Sequence, residues 1–226
     1  MSKSNTPTVE LRTSEDGSST LYRPDLDEHY HSIHGAIQES MHVFIRAGLD
    51  QHPDSSLKIL EVGFGTGLNA LLTLIHQGSK NIYYHTIERF PLNKSTVSEI
   101  NYPKELKMTE SRNLYLKIHQ APWNNDCAIT PGFILHKEES DLVDFKPLTN
   151  YDLVYFDAFG PDKQPELWTP EIFKKISEAV NPGGLLVTYS CKGTVKRALK
   201  DAGMQIEKIP GPPGKREMLR ATKPES

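Results

Sequence analysis

The sequence has 226 residues and a formal net charge of −3, which fits one globular domain with a substantial core. Its two cysteines are too few for a disulfide framework or a thiolate metal site. Neither a membrane-length apolar run nor the apolar core of a signal peptide is present in the sequence, so we expect a soluble, cytoplasmic protein.

The charge is unevenly distributed along the chain. From Cys191 to the end, nine Lys/Arg stand against four Asp/Glu, a balance of +5, whereas the preceding residues hold 17 basic and 25 acidic residues, or −8. A basic C-terminal segment fits an electrostatic footprint for a polyanion. A solvated surface explains it as well, and composition alone slightly favours that reading.

The N-terminal residues 1–20 are rich in Ser and Thr, and we expect a flexible segment there, followed by a single domain over 21–226. Three histidines follow in the sequence, but the further carboxylate or thiolate at helical spacing that zinc sites usually add is not obvious. We therefore expect surface or packing roles and no metal. The histidines are His29, His31 and His34.

Apolar residues recur at helical spacing from Ala36 onwards. This pattern predicts a helix that covers the sheet and carries Gln38 and Glu39 near its start. We place both of these polar residues among the candidate cofactor-binding residues.

An apolar run from Leu57 to Val62 leads into three glycines at every second position, and an apolar helical pattern starts at Leu68. The pattern predicts a strand, a tight turn and a helix opening, as in a nucleotide-binding βαβ unit. Glycines allow close approach of a ligand, and the helix N-terminus presents free N–H groups to it. The expected cofactor-binding residues here are Gly63, Phe64, Gly65, Thr66, Gly67 and Asn69.

The residues around the glycine loop distinguish between the nucleotide ligands that such a loop can bind. Leu68 stands where a dinucleotide fingerprint needs its third glycine, and the Gly-Lys-Ser/Thr of a P-loop is missing. Glu61 would repel a pyrophosphate but suits an ammonium, and Glu88 ends the next apolar strand, where an acid binds ribose hydroxyls. Together these features favour S-adenosylmethionine over NAD or ATP. A glycine turn needed only for packing leaves both carboxylates unexplained.

Further elements follow in order. Helical patterns cover 91–102 and 105–120, and a short strand covers 133–136. Glu138 and Glu139 come directly after this strand. We assign Glu139 to the adenine amino group, with an ordinary acidic loop as an equal alternative.

The strand over 151–157 ends in Asp157. Ligands of open α/β sheets bind beyond the carboxyl ends of the strands, so Asp157 should share a crevice with Gly63 and Glu88. Three more strands are expected over 185–189, 205–209 and 217–221. The sequence thus predicts a doubly wound α/β fold of the Rossmann-like methyltransferase type, with seven mostly parallel strands, the last antiparallel, and helices on both faces.

Several stretches resemble one family. They are 34–45, the glycine loop over 61–69, and 157–161 with 165–169, supported by 211–218. They resemble the methyltransferase domain of the bacterial tRNA 5-methylaminomethyl-2-thiouridine biosynthesis protein, over nearly the whole chain after about residue 21. Glu138-Glu139 departs from the Gly-Asp that is commoner in the family. Many members add a C-terminal FAD-dependent oxidase, and we expect this chain to be the stand-alone methylating form.

The resemblance implies methyl transfer from S-adenosylmethionine to the primary amine of 5-aminomethyl(-2-thio)uridine at the tRNA wobble position. The partner would be the anticodon stem–loop, after a separate complex has modified the uridine. Asp157 would accept a hydrogen bond from the amine, contact the cofactor and assist deprotonation, and Phe159 and Trp168 would stack on the base. Phosphate contacts would come from Lys192, Lys196, Arg197, Lys215 and Arg216.

Two other functions remain open from sequence alone. A small-molecule amine N-methyltransferase, or a relative of polyamine synthases, would need no basic surface. A non-catalytic RNA-binding module with a vestigial glycine loop would not bind S-adenosylmethionine.

Overall fold

The structure, a computed structural model, describes residues 7–225. The strands are β1 (Glu10–Thr13), β2 (Ser19–Arg23), β3 (Glu28–His29), β4 (Ser56–Val62), β5 (Asn81–Glu88), β6 (Asp126–Thr130), β7 (Phe133–Glu139), β8 (Tyr151–Phe156), β9 (Val180–Thr188), β10 (Gln205–Pro210) and β11 (Glu217–Thr222). The α-helices are α1 (Ala36–Ser40), α2 (Leu68–His76), α3 (Lys94–Glu99), α4 (Tyr102–Glu105), α5 (Ser111–Gln120), α6 (Pro170–Glu178) and α7 (Gly193–Asp201). A π-helical turn, Met41–Arg46, continues α1.

The central sheet has eight strands in the order β10-β11-β9-β8-β4-β5-β7-β6. The inner strands β9, β8, β4, β5 and β7 are parallel, and β11 is antiparallel to both of its neighbours. The doubly wound α/β fold and its antiparallel last strand are therefore confirmed.

The predicted number of strands was one too low. All seven predicted strands are present, and the additional one is β6, an edge strand antiparallel to β7. In β6 only Ile129 is buried, so the strand lacks the apolar alternation by which half-buried strands are recognised in a sequence.

Helices cover both faces of the sheet. On one face α6 buries Ile172, Phe173 and Ile176 in an apolar cluster shared with α7. On the other face α2 and α5 contribute Leu71 and Ile118. Each such side chain contributes about 1.5–3 kcal/mol on burial. Within residues 7–225, no helix is long and apolar enough to cross a membrane.

Helix boundaries follow the capping residues. The Thr169 side chain accepts a hydrogen bond from the N–H of Ile172 and caps the start of α6. The helix expected over 91–102 is shorter, because Asn93 caps α3 through the N–H of Thr96. The helix expected over 105–120 begins only at Ser111.

The N-terminal segment departs from the expected loose attachment. Strands β1, β2 and β3 form a small antiparallel sheet. The Asp16 carboxylate accepts hydrogen bonds from Ser14 (2.8 Å), the N–H of Ser18 (3.0 Å) and the N–H of Gln38 (3.1 Å). These bonds attach the segment to the start of α1, so the expectation is corrected for residues 7–20. Residues 1–6 of that segment lie outside the described residues.

Candidate active site

The loop between β4 and α2 requires its three glycines. Gly63, Gly65 and Gly67 have φ of 91°, 49° and 74°, in the region that side-chain-bearing residues rarely adopt. A Cβ atom on Gly63 would lie 2.8 Å from the backbone oxygen of Asp157. One on Gly65 would lie 3.0 Å from the ring of Tyr30. The loop is therefore packed closely between the end of β8 and Tyr30.

A cavity of about 830 Å³ opens beside this loop, at the carboxyl ends of β4, β5 and β8. This is the ligand position expected for an open α/β sheet, and the volume falls in the range of small-molecule pockets. Ten of the predicted site residues line it. They are Glu39, Gly63, Phe64, Gly65, Glu88, Asp157, Phe159, Lys192, Lys215 and Arg216.

Asp157 follows the last residue of β8 and faces the cavity. Its Oδ2 accepts a hydrogen bond of 2.8 Å from the side-chain amide of Asn69. Burial raises the pKa of Asp157 well above its usual range, the carboxylate of Glu39 acts in the same direction, and the Asn69 bond opposes them. Asp157 is thus a carboxylate held in place and able to take up a proton.

Glu88 ends β5 and supports the glycine loop. Its Oε2 accepts the N–H of Gly65 at 2.9 Å, and its Oε1 accepts the N–H of Phe90 at 2.8 Å. Burial raises the pKa of Glu88, and these backbone hydrogen bonds oppose the rise. A carboxylate has about four acceptor sites, so Glu88 keeps capacity for ligand hydroxyls.

Glu61 does not reach the cavity. It lies under α2 with 0% exposure, and within residues 7–225 neither carboxylate oxygen has a hydrogen-bond partner. Burial raises its pKa to about 8, with nearby Thr86, Asn69 and Tyr84 opposing the rise. Glu61 is therefore not placed to contact a ligand ammonium in the cavity, contrary to the prediction. Its side chain points into the face of the sheet covered by α2, not beyond the carboxyl ends of the strands.

Four further predicted residues lie outside the cavity lining. Gln38 is exposed, and Thr66 is buried between His31 and Tyr102. Gly67 is the N-cap of α2, and Asn69 lies in the first turn of that helix, where it acts through Asp157.

The residue predicted to contact adenine differs from the residues that line the cavity at this point of the chain. Glu139 is exposed and does not line the cavity. Glu138 accepts a hydrogen bond from the buried His85 at 3.0 Å. The cavity is instead lined by the following residues, Ser140 and Asp141.

The two predicted stacking residues have separate roles. Phe159 lines the cavity and makes an edge contact with Tyr30, with ring centroids 5.0 Å apart. Trp168 is buried against Phe156, and its Nε1 donates a 2.8 Å hydrogen bond to the backbone oxygen of Phe159. Trp168 is therefore a buried support for the loop that carries Phe159, and a nucleobase cannot stack on it.

The five predicted phosphate contacts divide into two groups. Lys215 pairs with Glu39 and Lys192 pairs with Asp162, both at the cavity. Arg216 is exposed at the rim of the cavity. The second group lies apart on α7, in a shallow basic depression formed by Lys196, Arg197, Lys200 and Lys208 with Gly193 and Ile206.

Residues 23–31, which follow the N-terminal segment, supply cavity positions that the sequence patterns did not predict. Arg23 is held by Asp25 through bonds of 2.8 and 2.6 Å and lies over the ring of Phe159 at 5.6 Å. Tyr30 and His31 also line the cavity. Burial lowers the pKa of His31 to about 4, so its ring is neutral near pH 7. Within residues 7–225, no cluster of three His, Cys, Asp or Glu is arranged to hold a metal.

The doubly wound sheet, the glycine loop and the acid-lined cavity are together typical of the S-adenosylmethionine-dependent methyltransferases. A family model described as S-adenosyl-L-methionine-dependent methyltransferase matches residues 134–224. The fold agrees with the crystal structure of MnmC2 from Aquifex aeolicus at a TM-score of 0.77 and 24% identity, covering 99% of this chain and 74% of that one. Spermidine synthase from Thermotoga maritima shares the fold more distantly, with a TM-score of 0.53 at 13% identity, over 96% of this chain and 73% of that one.

The names of the relatives found by sequence are more specific than the description of the family model. The tRNA 5-methylaminomethyl-2-thiouridine biosynthesis bifunctional protein MnmC of Burkholderia mallei is 31% identical, over 91% of this chain and 34% of the relative. The protein of the same name from Idiomarina loihiensis is 30% identical, over 85% of this chain and 35% of the relative. The chain spans about a third of the length of these relatives. The resemblance predicted from its motifs is confirmed.

Proposed function

We propose that this chain methylates the primary amine of 5-aminomethyl(-2-thio)uridine at the wobble position of tRNA, using S-adenosylmethionine. The observation that carries the proposal is the placement of Asp157 in the cavity, directly beside the glycine loop. The names of the relatives that match over 91% and 85% of the chain supply the substrate class.

The cavity fits the methyl donor. Gly63 and Gly65 line the cavity without side chains, so their backbone can approach a ligand closely, and Glu88 offers acceptors for ribose hydroxyls. These residues would hold the donor, with Ser140 and Asp141 at the adenine end. S-adenosylmethionine supplies a methyl group on a positively charged sulfur that is already activated for transfer.

The acceptor nitrogen must be neutral to attack the methyl group, because an ammonium has no lone pair. Asp157 accepts one proton from the acceptor ammonium and then holds the neutral amine through a hydrogen bond. Its raised pKa makes this proton transfer easier than to an ordinary carboxylate. Asn69 keeps Oδ2 in position, so the chain contributes proton transfer and orientation.

The uracil ring would lie against Phe159. Anticodon-loop bases are read after they leave the stack, and aromatic rings are their usual platforms. Phe159 is partly exposed in the cavity and is held by Tyr30 and Arg23. In this proposal Tyr30 replaces Trp168 as the second aromatic residue of the platform.

The anticodon stem–loop would follow the basic side of the molecule. Arg216 lies at the cavity rim, and Lys196 and Arg197 lie on α7. Contacts of lysine and arginine with phosphates position an RNA without reading its sequence. With a tRNA substrate, the reaction would take place in the cytoplasm. It would follow the reactions of the enzymes that build the aminomethyl group.

The direct test incubates the protein with labelled S-adenosylmethionine and tRNA from cells that lack this methylation. Label in 5-methylaminomethyl(-2-thio)uridine supports the proposal. Equal methylation of small amines without RNA would favour a small-molecule N-methyltransferase. Failure to bind S-adenosylmethionine would favour the non-catalytic RNA-binding module.

A further inference from the structure

The ammonium group of Lys215 lies at the cavity. Nζ of Lys215 donates a 2.5 Å hydrogen bond to Oε1 of Glu39. The same ammonium lies 4.0 Å from the centre of the Tyr189 ring. A carboxylate combined with an aromatic face is a binding site for a cation. We call Glu39 and Tyr189 together the ammonium cage.

Both members of the cage are held by contacts that do not involve Lys215. The second carboxylate oxygen of Glu39 accepts the N–H of Ser32 at 2.8 Å, and the hydroxyl of Tyr189 donates to the backbone oxygen of Ala158 at 2.8 Å. The Glu39 side chain is only 9% exposed. The cage therefore does not need the lysine to keep its shape, and a Glu39 without a cation would be a poorly solvated charge.

The cage lies where the acceptor amine must arrive. Glu39, Tyr189 and Lys215 line the same cavity as Asp157, and the charges of Glu39 and Lys215 both act on the Asp157 carboxyl. Lys215 enters from the loop between β10 and β11, and its side chain is 35% exposed. An ammonium with a path to solvent can leave the cage without unfolding the loop.

Resting on the function proposed above, we propose that Lys215 is a resident placeholder for the substrate amine. A lysine side chain ends in CH₂–NH₃⁺, which is the aminomethyl group of the proposed acceptor. The acceptor ammonium displaces Lys215 from Glu39 and from the face of Tyr189, and is thereby delivered beside Asp157. The cage makes the enzyme select an aminomethyl group over an uncharged substituent of similar size, and Lys215 weakens substrate binding by competing for the same cage.

The test measures binding of two anticodon stem–loop RNAs that differ only in the wobble substituent, 5-aminomethyluridine or 5-hydroxymethyluridine. Anisotropy titrations with S-adenosylhomocysteine present give the affinities for the wild type and for Lys215→Met. Loss of the competing ammonium should tighten binding of the aminomethyl RNA by about tenfold, the size of one charge-assisted hydrogen bond. The hydroxymethyl RNA should change by less than about twofold.

Two further variants complete the experiment. Glu39→Gln should bind both RNAs equally, since the cage has lost its charge. Lys58→Met is the matched control, because Lys58 is exposed on β4 at the opposite end of the sheet, and both affinities should match the wild type. Thermal unfolding and S-adenosylhomocysteine affinity verify that each variant is folded, and Glu39→Gln tests the cage if Lys215→Met does not fold.

Equal weakening of both RNAs by Lys215→Met would identify Lys215 as a phosphate contact and overturn the proposal. Unchanged affinities, or a preference for the aminomethyl RNA that survives Glu39→Gln, would overturn it as well. The wild type is assayed in parallel for methylation of the aminomethyl RNA. If the wild type methylates the RNA but the variants do not show the predicted affinities, only the placeholder role of Lys215 is refuted. If the wild type does not methylate the RNA, the proposed function itself is refuted.

Discussion

The side-chain amide of Asn69 donates a hydrogen bond of 2.8 Å to Oδ2 of Asp157. Asn69 lies in the first turn of α2, and Asp157 follows β8. The bond therefore joins the glycine-loop half of the site to the strand that carries the acidic group. An orienting group next to a proton-accepting residue is a recurrent arrangement in catalytic sites.

Replacing Asp157 tests its role in the chemistry. Asp157→Asn keeps the shape of the side chain but can neither accept the proton nor carry charge, so single-turnover methylation should fall by about 10²–10⁴-fold. The affinity for tRNA should stay nearly the same. Rapid-quench assays and RNA titrations give the two quantities. Asp144→Asn, at an exposed position outside the cavity, is the matched control, and a near wild-type rate for Asp157→Asn would refute the assignment.

Glu88 should matter for the methyl donor. Glu88→Ala removes an acceptor for ribose hydroxyls and the support of the Gly65 N–H. We expect weaker binding of S-adenosylmethionine by about 1–3 kcal/mol, measured by calorimetry. Glu99→Ala, exposed on α3, should leave affinity unchanged. Equal affinities of Glu88→Ala and the wild type would remove Glu88 from the binding site.

Glu61 should make stability depend on pH. Its pKa in the folded protein is about 8, above the ordinary 4.5, so folding favours the protonated form. That contribution is complete below about pH 4.5 and is lost as the pH rises through about 8. Relative to Glu61→Gln, the wild type should lose up to about 1.4 kcal/mol of unfolding free energy per pH unit across this window. Urea unfolding at several pH values measures the difference, and two parallel stability curves would contradict it.

The basic depression on α7 should contribute to tRNA binding. Replacing Lys196 and Arg197 with Ala should weaken binding and reduce the log–log salt slope by about two units at most. Affinity for S-adenosylmethionine should not change. The control pair is Lys58→Ala with Lys146→Ala, both exposed. If affinity and slope match the wild type, the path of the RNA does not cross α7.

Sequence patterns predicted the parts of the site that depend on local geometry. Alternate glycines between an apolar strand and a helix indicate positive φ, so the pattern alone predicted the roles of Gly63 and Gly65 in the loop. The ends of β5 and β8 were predictable too, because an acid directly after an apolar run marks the carboxyl end of a strand. This placed Glu88 and Asp157 in one crevice.

Sequence patterns could not predict contacts between distant segments. Nothing around Tyr30 or Arg23 has the spacing of a motif, and the N-terminal sheet reaches the cavity only through tertiary packing. Glu61 was misplaced for a related reason. A residue within β4 points to one face of the sheet, whereas a residue at the carboxyl end of a strand can point into the space beyond that end. The pairing of Lys215 with Glu39 joins residues 176 positions apart.

The most direct measurement uses S-adenosylmethionine with a deuterated methyl group and tRNA that carries unmethylated aminomethyluridine. Nucleosides from the reaction are separated and identified by mass spectrometry, with Asp157→Asn in parallel. We predict one deuterated methyl group on the side-chain nitrogen of the wobble uridine, and far less of it with the variant. A labelled methyl group on the ring, on the ribose or in another nucleoside, or an unlabelled tRNA, would contradict it.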